Sequence, residues 1–200
     1  MIDRRILAAL ALPLVLAGCD QNSAPVQTQS GSPPPPAQAQ PGQPETPPPL
    51  TPAEGEMAVA GILFPVPEGW RQVAPSNQMR LAELHYGEGD SLCVAAFSTA
   101  GGSVIANIER WAMQMQGPGG EPLTAQAQMR QVSGVPVHTV ELTGTYLGMG
   151  QQPAQPDTTM RGAILERPTG LLFIKMTGPA DAMEACAPGW ETLVNGLRTN

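Results

Sequence analysis

Ser91-Leu92-Cys93-Val94-Ala95-Ala96-Phe97-Ser98-Thr99 is almost wholly apolar. After Gly101-Gly102-Ser103 the period changes, and Val104, Ile105, Ile108, Trp111, Ala112 and Met115 recur at i, i+1, i+4, i+7, i+8 and i+11. The first run is too uniform for a half-exposed strand and predicts one over residues 92–98 with both faces covered. The second run is one wide apolar stripe, the signature of an amphipathic helix. Ser103 stands where its N-cap belongs, and Gly117-Pro118-Gly119-Gly120 stops it.

Working outward, residues 62–64, 70–73 and 79–86 read as strands ahead of this pair, separated by Pro- and Gly-rich turns. Beyond it, residues 126–132 and 137–146 alternate, as do 159–166 and 171–177, the last two joined across Arg167-Pro168-Thr169-Gly170. A final helix is expected over residues 180–197, with Met183, Cys186, Trp190, Leu193, Val194 and Leu197 as its stripe and Pro188 as a kink. Four strands, a helix, four strands and a helix imply an α+β domain over residues 57–200. Its largely antiparallel sheet is sandwiched by two helices.

Residues 20–56 have a different composition. Eleven prolines stand among 37 residues, with Gln, Ala, Ser, Thr and Gly and no aromatic side chain. Such a segment cannot bury enough apolar surface to offset chain entropy, so a disordered, semi-stiff spacer is expected. The full chain has a net charge of −7. Its one lysine, Lys175, and scattered arginines are a poor match for a phosphate backbone, so nucleic acid is excluded as a partner. An acidic surface gives no pull toward anionic lipid either.

Ahead of the spacer, Arg4 and Arg5 precede an apolar run from Ile6 to Leu16 that closes on Leu16-Ala17-Gly18-Cys19. The run is too short to span a bilayer as a helix. It resembles the signal and lipobox of bacterial lipoproteins. That resemblance implies that residues 1–18 are removed and that Cys19 carries a diacylglycerol, with further acylation such as palmitate. The mature chain would then be residues 19–200, held to a membrane of the cell envelope with its domain outside the cytoplasm. Asp20 resembles the inner-membrane retention signal of some enteric bacteria, so the inner membrane is expected, with the outer membrane as the alternative.

Four phrases carry a second resemblance. They are Phe64-Pro65-Val66-Pro67-Glu68-Gly69-Trp70, Ala106-Asn107-Ile108-Glu109-Arg110-Trp111, Gly144-Thr145-Tyr146 and Phe173-Ile174-Lys175-Met176-Thr177-Gly178-Pro179. Together with the element order, they are similar to the PsbP-like fold over residues 60–197. The resemblance implies an α/β/α sandwich of the kind found in binding and assembly proteins. It brings no catalytic residue to carry over.

The chemistry-bearing residues are few. No GxSxG elbow, Walker loop, HExxH or CxxC occurs. His85 and His138 each sit within a strand. Were those strands neighbours, they could share a metal with Glu83 or Glu141, but two half-exposed strand residues are expected instead, with no metal and no cofactor. Helical spacing puts Met115 on the core stripe and Met113 opposite, which argues against a shared soft-metal site. Trp70, Trp111 and Trp190 could make an aromatic ligand site, although Trp111 and Trp190 lie on stripes that face the sheet. Asn107 and Arg110 flank the first stripe, where they could contact a partner or bond the neighbouring loop. Cys93 and Cys186 could form a disulfide in an exported protein or remain free, buried thiols.

The function these residues suggest is a membrane-anchored, non-catalytic binding or scaffolding module with an envelope protein partner. The alternatives are an envelope hydrolase, or a metal or small-ligand carrier, using His85 or His138.

Overall fold

A computed structural model describes residues 51–89, 92–148 and 153–199. The expected signal, Cys19 and most of the proline-rich segment lie outside the described residues. The elements run β1 Glu56–Val59, β2 Ile62–Pro65, β3 Trp70–Val73, β4 Arg80–Tyr86, β5 Cys93–Ala100, α1 Val104–Ala112, β6 Met115–Gln116, β7 Gln128–Val132, β8 Val135–Tyr146, β9 Gln155–Arg167, β10 Gly170–Pro179, α2 Ala180–Ala185 and α3 Ala187–Asn195.

β1 and β2 form a separate hairpin, and the main sheet has the order β3-β4-β5-β10-β9-β8-β6 with every pairing antiparallel. β7 pairs with residues 135–139 of β8, while β6 pairs with Thr145 and Tyr146 of that strand. The β1–β2 turn is Ala60-Gly61 and the β7–β8 turn is Ser133-Gly134, all four residues at positive φ. That is the backbone of a two-residue type I′ hairpin, whose twist matches the strands it joins.

Strand alternation sends side chains to two cores. On one face Leu172, Ile174 and Met176 of β10 pack with Phe97, Leu165, Met183, Trp190 and Leu193, beneath α2, α3 and the β1–β2 hairpin. On the other face Phe173 packs with Ile108, Trp111, Val140, Leu142, Met160 and Ile164, beneath α1. The fold is therefore α+β, an antiparallel sheet with helices on both faces.

Several boundaries differ from the sequence reading. Ser103 is the N-cap, its hydroxyl accepting from the Ala106 N–H at 3.2 Å. The helix nevertheless ends at Ala112, and Met115 reaches the core from β6, where it pairs with Tyr146. The free edge of β8 offers backbone partners there, and tertiary pairing overrides local helical preference. Ile105 is not on the buried stripe and is 69% exposed. The single final helix is two, α2 and α3, meeting at Cys186. Pro188 lacks the N–H that would continue α2, and it serves instead in the first turn of α3.

β1 was not expected. It opens at Glu56, one residue ahead of the expected domain start, and is tied to the far end of the chain. Leu63 and Arg198 exchange two backbone hydrogen bonds of 2.9 Å, and the Arg198 guanidinium forks onto the Glu56 carboxylate at 2.9 and 2.7 Å.

Candidate functional site

The registers set side chains in rows across the α1 face of the sheet. Glu83 of β4, Ala96 of β5, Lys175 of β10, Gly162 of β9 and Val140 of β8 form one row. His85, Val94, Thr177, Met160 and Leu142 form the next. Arg80, Ser98, Phe173, Ile164 and His138 form the row on the other side.

α1 covers only part of this lattice. A Cβ added at Gly162 would stand 2.2 Å from Cζ3 of Trp111, so the glycine is the seat of the indole. The α1 core draws its buried strand residues from β6, β8, β9 and β10; β5 adds only the partly buried Ala100 at its end, and β4 adds none. Val94, Ala96 and Ser98 are consequently only partly buried. They floor a strip with Arg80, Glu83 and His85 on one side and Lys175 on the other.

Glu83 anchors the first side. Its carboxylate accepts the Ser76 N–H at 2.6 Å, pairs with Arg80 at 2.9 Å and lies 3.1 Å from Nε2 of His85. Burial alone would push the carboxyl up, but these hydrogen bonds prevail and hold it at about 2. Glu83 is 1% exposed, so the charge is fixed.

Lys175 dominates the other side. Its ammonium donates to Oε1 of Gln114 and lies 5.1 Å from the centroid of the Tyr146 ring. Burial, then the charges of Arg110 and Arg80, push Lys175 down to about 8. Burial likewise raises the Tyr146 hydroxyl, against the pull of Arg80. Arg110 is exposed and aimed by Asn107, whose Oδ1 accepts from it at 2.6 Å. The buried Asn107 amide also donates to the carbonyls of Gly101 and Ser103 at 3.1 and 2.8 Å, fastening the loop that enters α1.

The structure separates the two histidines. Three strands stand between β4 and β8, which sets His85 and His138 about 19 Å apart across the sheet at the usual strand spacing, and they also stand two rows apart along it. His138 pairs with Glu166 at 2.7 Å and not with Glu141, which faces the opposite side of the sheet and pairs with Arg161 at 2.5 Å. Among the described residues no group of three His, Cys, Asp or Glu side chains could hold a metal ion. Met115 is buried and Met113 is 71% exposed, so the two thioethers diverge. Trp111 and Trp190 are buried in the two separate cores. Trp70 packs on Tyr86 with ring centroids 5.5 Å apart. Cys93 and Cys186 are free and buried.

Sequence reading passed over Lys175, Arg80, Gln114 and Tyr146. One signal was present: the chain's single lysine interrupts the apolar run Leu171-Leu172-Phe173-Ile174-Lys175-Met176. A cation in a strand flanked by neighbours on both edges needs a reason.

No protein-family model matches the chain, and no curated protein matches it significantly. Among solved structures, it is similar to cyanobacterial PsbP (CyanoP) from Synechocystis sp. PCC 6803. The TM-score is 0.49 at 12% identity, over 72% of this chain and 91% of that one. It is also similar to LpqN, described as involved in cell envelope biogenesis of Mycobacterium tuberculosis. There the TM-score is 0.46 at 15% identity, over 68% of this chain and 82% of that one.

Proposed function

We propose that the protein is a lipid-anchored, non-catalytic binding module of the bacterial cell envelope. Cys19 carries the diacylglycerol, the proline-rich residues between it and β1 serve as the spacer, and the strip over β4 and β5 is the contact surface. The observation that carries this reading is the uncovered strip itself. Its charged side chains stand on two strands and a helix and are held there by Ser76, Gln114 and Asn107, a pre-organised surface rather than a mobile one. No helix among the described residues is long and apolar enough to cross a membrane, so in this reading the acyl chains supply the attachment.

The test places a photo-crosslinking residue at Ser98, on the strip, and at the exposed Thr192 of α3 as a control, in the native envelope. Adducts from position 98 and none from position 192 support the reading. No adduct from 98, or equal adducts from both, counts against it. Mass spectrometry of the mature N-terminus checks the anchor separately: a Cys19 without a thioether-linked lipid removes that part.

A further inference from the structure

We propose that Lys175, Arg110 and Arg80 form a binding position for an oxyanion, a phosphate or carboxylate group, at the edge of the β4–β5 strip. This deepens the proposed function and relies on it only for the use of that surface.

Three of the ten basic residues of an acidic chain stand around one place: Arg80 and Lys175 lie in adjacent rows on the same face of the sheet, and Arg110 precedes Trp111, the side chain of α1 seated on Gly162 in the Lys175 row. Lys175 sits between β5 and β9 in the sheet, with the neutral Gln114 amide and the Tyr146 ring as its partners. Among the described residues no carboxylate pairs with it. Glu83 shares its row, two strands away, but both Glu83 oxygens are already engaged by Ser76, Arg80 and His85. Glu83 offsets the charge of Arg80 alone, and among the described residues neither Lys175 nor Arg110 pairs with a carboxylate. Gathering like charges in a partly desolvated place is unfavourable unless a counter-charge sits among them. An ammonium and two guanidinium forks supply the donors that planar or tetrahedral oxyanions accept. The small Ala96 and Ser98 leave the floor beside them low.

The single lysine makes the test direct. In the full-length protein labelled with carbon-13 lysine, one side-chain signal reports the titration of Lys175. The probes are sodium phosphate, sodium glutarate and phosphatidylglycerol vesicles, each compared with sodium chloride of equal ionic strength. An occupied site should raise the Lys175 midpoint by about one pH unit, as an opposite charge does for an ammonium. Arg110→Gln and Arg80→Gln should each remove about half of that rise or more. A rise with vesicles alone assigns the oxyanion to a lipid headgroup, while a rise with phosphate or glutarate assigns it to a soluble ligand. A midpoint that answers none of the three, or answers chloride equally, overturns the proposal. So does a rise that survives both arginine substitutions. A Lys175 response without crosslinking from Ser98 would leave the anion position standing and remove the partner-binding surface. Crosslinking without a Lys175 response would do the reverse.

Discussion

The Sγ atoms of Cys93 and Cys186 lie 3.0 Å apart, buried where β5 meets the junction of α2 and α3. Their shared hydrogen bond holds the Cys186 thiol below its ordinary value, while that bond and burial push Cys93 up. Cys186 also lines a cleft of about 530 Å³ beside Trp70, Tyr86 and Gly189. Mild oxidation with diamide should therefore join the pair. The measurements are the loss of two alkylatable thiols and a gain of about 2–4 kcal/mol in denaturant melts. Two thiols still alkylated after unfolding the oxidised protein would refute it.

Gly162 should not accept a methyl group. Trp111 occupies the space at 2.2 Å, and the indole is wedged among Ile108, Met160 and Phe173. Gly162→Ala should cost about 1–3 kcal/mol through overpacking and shift the tryptophan fluorescence. Gly101, with open space at its Cβ position and no positive φ, should accept Ala within about 0.5 kcal/mol.

Trp190 stands in the larger core with Cys186, Leu193 and Val194. Trp190→Ala should cost about 3–5 kcal/mol, measured by urea unfolding. A variant as stable as its parent would mean that α3 does not hold the sheet.

Glu83 gives the stability an acid limb. Its carboxyl is held at about 2, below the ordinary 4.5, so its contribution is fully present above pH 4.5 and is lost as the pH falls toward 2. Glu83→Gln should flatten that limb and lower stability at pH 7 by about 2–3 kcal/mol, the worth of charge-assisted hydrogen bonds to a buried carboxylate. Melts of parent and variant between pH 2 and pH 7 compare the two directly.

The layers were legible in the sequence because they rest on periodicity. The stripes of α1 and of the last helical segment each name the face they bury. The apolar run of β5 predicts two covered faces, but only that of Cys93, Ala95 and Phe97 is buried; α1 sits over β8, β9 and β10 and leaves Val94, Ala96 and Ser98 partly open. Where α1 ends was not legible: the edge of β8 recruits Met115 and Gln116, a long-range pairing that nothing near residue 115 announces. The site was hidden for a related reason. Arg80, Arg110 with Gln114, Tyr146 and Lys175 come from four parts of the chain. They converge only because β10 inserts between β5 and β9, an order that local patterning does not encode.

The seam between Glu56, Leu63 and Arg198 also sets a load path. A tether joined ahead of β1 delivers any tension to Gly55 and Glu56, and from there to the β2 end and the last residues after α3. The main sheet lies beyond that seam and need not bear the pull until the seam parts. Under drag from a moving partner the hairpin should peel first, acting as a mechanical fuse that leaves the β4–β5 surface in shape.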